Sequence, residues 1–176
     1  MKVMCGVASL VLALGAGGAW AQGGPNDAQI AATVVTANQV DIDAGKLAST
    51  KGHSKDVRAF GQLMVTDHSA VNKSATGLVQ KLHVTPESNP TSESLKKGGE
   101  ENVAKLKTLR GAAFDKAYID HEVTYHQAVL DAVDKTLIPS AQNPELKALL
   151  VKVRPAFEAH LEHAKELQAK LGGAGA

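Results

Sequence analysis

Cysteine is almost missing from this chain: its single cysteine, Cys5, falls in the N-terminal apolar segment. Beyond it there can be no disulfide, no thiolate metal ligand and no cysteine nucleophile. Charge of one sign is missing too. The chain carries 19 basic and 18 acidic residues, a formal net charge of +1, and no basic tract. It therefore has no electrostatic footprint for nucleic acid or anionic lipid. The Lys/Glu-rich stretch from Lys96 to Lys107 reads as a solvated helical face. There is no internal repeat, no phosphate-binding glycine loop and no strand-like alternation. Aromatics make up only 3 % of the residues, while Ala, Leu, Val and Lys are plentiful, a helical composition.

The first residues read as a secretory signal. Lys2 supplies the charged start, Val7 to Leu14 the apolar stretch, and Ala19-Trp20-Ala21 a small-residue cleavage site before Gln22. The apolar run is interrupted by glycines and is short for a membrane span. No cysteine stands at the cleavage point, which argues against a lipid anchor. Removing residues 1–21 removes Lys2, leaves the chain neutral, and leaves about 155 residues, enough for one domain with a sizeable core. A cysteine-free exported chain suits a bacterial periplasm. The mature part offers no membrane-spanning segment, and nothing in it names a protein partner or an oligomeric state.

After a Gly/Pro-containing flexible leader at 22–26, a first helix is expected from about Asp27 to Lys51. Ile30, Val34, Ala37, Ala44 and Ala48 form its apolar stripe, and Gly52 ends it. Ser54 caps a second helix that runs to about Leu82. Pro86 and Pro90 place a loop over His83 to Ser92. A short helical piece then follows, broken at Gly98-Gly99 and resuming through Val103, Leu106 and Leu109. A third helix is expected from Gly111 to about Leu137, closed by Pro139. The fourth starts at Asn143-Pro144, is kinked by Pro155 and ends at Leu171, before a disordered tail at 172–176. Two antiparallel hairpins joined by a long crossover between helices 2 and 3 describe an all-α, ferritin-like four-helix bundle over residues 27–171.

Five ionisable side chains fall inside the apolar stripes: Asp41 on the first helix, His68 on the second, Glu122 and His126 on the third, His160 on the fourth. Burying such groups unpaired costs several kcal/mol. Asp43 and His121 turn away from the stripes, while Asp67 and His163 lie at their edges. Counting residues outward from each turn puts Asp41 and Glu122 in a middle layer. His68 and His126 then lie within about one helical turn, ~6 Å. Imidazole with carboxylate suits a transition metal such as Fe, Zn or Cu. The same groups can instead hydrogen-bond one another and water, fixing helix register. His121, Glu122 and Tyr125 resemble an acid/base cluster but have no nucleophile beside them. Tyr118, Tyr125 and Met64 read as packing residues, and His53 and His83 as turn and loop residues.

Gly45-Lys46-Leu47-Ala48, Phe60 to His68 ending in Met64-Val65-Thr66-Asp67-His68, and Gly111-Ala112-Ala113-Phe114-Asp115-Lys116-Ala117-Tyr118 occur in order. Tyr125-His126-Gln127, Pro144-Glu145-Leu146-Lys147 and Pro155 through His160-Leu161 follow. In this the chain resembles the secreted bacterial proteins grouped as domain of unknown function 4142, placed with the ferritin-like bundles. The resemblance spans about residues 30–168. It implies export to the periplasm or outer envelope, and the family pattern carries over to His68, His126 and His160. Asp41 and Asp43 stand where the family commonly has glutamates, and their shorter reach counts against a full di-iron site. No reaction is implied.

Three functions are therefore in view. One is a periplasmic bundle that binds a transition metal for storage, buffering or stress protection. Another is a metal-free structural or interaction bundle of the envelope. The third, an oxidoreductase with two irons, needs at least four carboxylate or histidine ligands around the pair. Asp41, His68, Glu122, His126 and His160 make a carboxylate-poor set for it.

Overall fold

The computed structural model describes residues 23–173, and all regular structure among them is helical. The expected signal at 1–21 and the last three residues of the expected tail lie outside that range. Helix α1 is Asp27–Lys51 and α2 is Lys55–Lys81; α3 is Pro90–Thr108 and α4 is Gly111–Ala132. A π-helical turn, Val133–Leu137, leads into the short α5, Ile138–Ser140, and α6 is Pro144–Gly173. None of the described helices is long and apolar enough to cross a membrane.

The helix ends follow from local chemistry. Asn26 opens α1 with a reciprocal capping box to Gln29. The Ser54 hydroxyl accepts the Val57 amide at 3.1 Å to open α2, and Asn143 Oδ1 accepts the Glu145 and Leu146 amides ahead of α6. Each hairpin packs on itself, α1 on α2 and α4 on α6, with α3 laid along α1. Phe60, Met64, Leu106, Phe114 and Tyr118 fill the core nearest the α1–α2 turn. Ile30, Val34, Val133, Leu146 and Leu150 fill the other end.

Two carboxylates lock the hairpin turns crosswise. Asp115, near the start of α4, accepts the His53 and Ser54 amides of the α1–α2 turn, both at 2.7 Å. Asp27, first residue of α1, accepts the Gln142 and Asn143 amides of the turn before α6, both at 2.9 Å. Turn amides with no helical partner thus find charged acceptors on the opposite hairpin.

Three expectations need correction. The crossover helix is not broken at Gly98-Gly99; α3 is continuous, and it starts at Pro90 behind an Asn89 cap. Gly99 sits there for close approach, since a Cβ on it would lie 2.6 Å from Val40 Cγ2. Pro139 does not close its helix. The Ile138 amide bonds the Val133 carbonyl, five residues back, and this wider turn carries the chain past the missing proline N–H. The α6 helix outlasts its expected end at Leu171 and takes in Gly172 and Gly173. Pro155 lies inside α6 without interrupting it.

Candidate metal centre

All five inward side chains meet in the middle of the molecule. Asp41, His68, Glu122, His126 and His160 are buried, none exposing more than 4 % of its surface. They form two overlapping sets. One ligand atom each from His68, His126 and His160 lie within 4.8 Å of one another, and the same holds for Asp41, Glu122 and His126. Three donors at about 2.1 Å around a single ion lie ~3.4–3.6 Å apart, so each atom of either set would move inward by up to about 0.7 Å to share a cation. His126, from α4, belongs to both.

The imidazoles are held by their outer nitrogens. His68 Nδ1 lies 2.7 Å from Asn38 Oδ1. The Asn38 amide nitrogen donates to the Val34 carbonyl at 2.8 Å, so Oδ1 is the acceptor and His68 must donate. His126 Nδ1 donates to the Glu122 carbonyl at 3.1 Å. His160 Nε2 donates to Asp67 Oδ2 at 2.9 Å. In each neutral ring the other nitrogen is then a bare lone pair. Those three atoms, His68 Nε2, His126 Nε2 and His160 Nδ1, are buried and have no hydrogen-bond partner. Asp41 Oδ1 and both Glu122 carboxyl oxygens are likewise unpartnered. Metal-binding histidines show this arrangement, one N–H fixed by an oxygen and one lone pair free.

Burial sets the protonation of the site. It lowers His68 to about 2 and His126 to about 4, each helped by neighbouring histidines, so both rings are neutral near pH 7. His160 is also lowered by burial, against the opposing pull of Asp67. Burial raises Glu122 to about 8, partly offset by the Asp41 and Tyr118 side chains. Asp41 is raised by burial and then by the Glu122 charge. The Tyr118 hydroxyl, one helical turn before Glu122, is buried without a partner, and burial raises its pKa.

Packing fixes the rings. Phe157 stacks on His68 with centroids 5.3 Å apart and planes 9° from parallel. The centroids of His68, His126 and His160 lie 5.2 to 5.6 Å from each other. Tyr125 hydrogen-bonds the Ala37 carbonyl at 3.1 Å and stacks on His121, outside the cluster. His53 and His83 stay in connections, and His163 packs edge-on against Phe60.

Sequence reasoning missed the outer acceptors. Asn38 stands three residues before Asp41 and four after Val34, so helical spacing alone puts it on the inward face. Asp67 lies at the flank of its helix's apolar stripe, and from there it reaches His160 on α6.

The model of the family described as domain of unknown function DUF4142 matches residues 14–167. The chain belongs to that family. It contains the whole clustered set, from Asn38 to His160, within the matched span. Neither the curated proteins nor the solved structures hold a significant match to this chain.

Proposed function

We propose that this protein is an exported, ferritin-like four-helix bundle, with α3 as its crossover, that binds a transition-metal ion in its core. His68, His126 and His160 hold the ion, and Asp41 and Glu122 supply carboxylate oxygen beside it. One observation carries the reading. The unpartnered nitrogens of His68, His126 and His160 are, in neutral rings, all acceptors. Acceptors cannot satisfy one another, and each left bare in a core costs about 1–3 kcal/mol. A cation satisfies them together.

An imidazole-rich set with adjoining carboxylate suits Zn, Cu or Fe. His126 is common to both sets, but its approach to the Glu122 carboxyl, at 3.4 Å, is through Nδ1, the nitrogen that donates to the Glu122 carbonyl, which favours one ion on the histidine side over two. Storage, buffering or stress protection in the periplasm fits a site built to hold a metal. Export is supported by the signal-like start of the chain.

Elemental analysis of protein purified from a native periplasm tests the proposal. We expect about one ion per chain in wild type and close to none in His126→Ala. A metal content near zero, with no thermal shift on adding Fe, Zn or Cu, overturns it in favour of a metal-free structural bundle. In that case His126→Ala and His160→Ala would alter stability alone.

A further inference from the structure

A cavity of about 230 Å³ reaches the centre from the side of the molecule. Its outer end is at Thr91 of α3 and Ala128 of α4, both exposed. Its inner end is formed by Asn38, Asp41, His68 and Phe157. Between them the walls are apolar or small, with Ala37, Leu95, Ala132, Val133 and Leu137 among them. Short side chains at Ala37, Ala128 and Ala132 leave the space that longer ones would fill. The π-helical turn contributes Val133 and Leu137 from the α4 side.

This shape selects by chemistry. A charged or strongly hydrated species would have to shed water along walls that offer almost no polar replacement. A neutral apolar molecule gains by entering, about 25 cal/mol per Å² of surface removed from water. The volume exceeds the roughly 150 Å³ of a cavity lined by Leu, Ile and Phe that stays dry and takes up benzene. Asp41 and His68 border the inner end, although Asp41 Oδ1 and His68 Nε2 themselves are closed off from it. We propose that this cavity is a binding site for a small, neutral, apolar molecule, of single-ring size or somewhat larger, which it holds against Asp41 and His68. The proposal deepens the metal reading, on which it rests only for what the molecule meets at the inner end.

Toluene is the probe, with benzoate and benzylammonium as charged counterparts of similar size. Titration of the metal-free protein followed by NMR should show saturable toluene binding, with contacts from its protons to the Ala132 and Val133 methyls. The charged analogues should bind at least about tenfold more weakly. Ala132→Phe and Ala37→Phe each fill the space from a different wall, and either should weaken toluene binding about tenfold or more without altering cobalt affinity. In cobalt-loaded wild type, toluene should shift the visible cobalt bands. Absence of saturable binding to wild type, contacts that map elsewhere, or equal binding of the charged analogues overturns the proposal. The two readings part cleanly. Toluene binding without cobalt binding sinks the metal site and leaves the cavity; cobalt binding without toluene binding does the reverse.

Discussion

Each inward imidazole has an outer acceptor of a different kind: a side-chain amide for His68, a backbone carbonyl for His126 and a carboxylate for His160. Such partners orient a ligand ring and typically carry about 10–100-fold of metal affinity. Asn38→Leu and Asp67→Leu should therefore weaken zinc binding by about that factor, although neither residue is a proposed ligand. Competition with a chromophoric chelator reads the change, and an unaltered affinity in both variants would contradict the arrangement. The pH dependence belongs to the carboxyls. Glu122 sits at about 8 and Asp41 is raised, so metal binding near neutrality must expel their protons. His68 at about 2 and His126 at about 4 have already lost theirs. Zinc affinity should climb by up to about tenfold per pH unit for each carboxylic acid ionised, through the range around pH 8 where Glu122 loses its proton. A midpoint near the ordinary histidine value of 6.5 would instead assign the control to imidazole. In the metal-free protein the two groups act in opposite senses. The raised Glu122 contributes stability that fades as pH climbs from 4.5 through about 8. The lowered histidines contribute stability that fades as pH falls below 6.5. Between pH 6.5 and about 8 only the carboxyl effect operates, so thermal stability without metal should fall across that interval, whereas below 6.5 the histidine effect opposes it and the slope should flatten or reverse.

Among the elements, α3 gives the sharpest test. Gly98 and Gly99 are adjacent in one continuous helix, yet their surroundings are opposite. A Cβ at Gly98 meets nothing within 4 Å, whereas one at Gly99 would strike Val40 at 2.6 Å. Gly98→Ala should stabilise the fold by up to about 1 kcal/mol through backbone entropy. Gly99→Ala should destabilise it by about 1–3 kcal/mol through overpacking against α1. Denaturant midpoints of the two variants decide the matter, and changes of the same sign would refute the packing described. The sequence alone read this pair as one break, because glycine marks both a helix end and a close approach. Only the position of Val40 on a neighbouring helix separates the two meanings. Pro139 misled for a similar reason: a π-helical turn absorbs its missing donor, and no local signal in the sequence announces that turn.

At the scale of the molecule, the crosswise clamps hold the hairpins in register. Asp115 and Asp27 act at opposite ends of α1, on turns separated by the length of the bundle. Asp115→Ala strands two turn amides and should cost about 1.5–3 kcal/mol, the range for hydrogen bonds to a charged group. Asp27 is more open to solvent, so Asp27→Ala should cost less. The two sites share no partner, so the double variant should lose the sum within about 0.5 kcal/mol. Urea titration of the three variants measures it, and strong non-additivity would mean that the ends of the bundle are coupled through the core. Filling of the proposed metal site would add to this global stability by mass action, about 2.7 kcal/mol at a hundredfold excess over the dissociation constant.

Helical periodicity determined the elements and most of their ends, since capping residues and the 3.6-residue repeat are local properties. It also determined which five ionisable side chains turn inward, because angle around a helix is fixed by residue count. The tertiary structure decided everything that depends on height and neighbours. It brought Asp41 and His68 of one hairpin against Glu122, His126 and His160 of the other. It gave each ring its outer acceptor and set an apolar cavity against the cluster. The physical reason is that contact between helices follows from how two surfaces slide and pack, a quantity no single helix encodes.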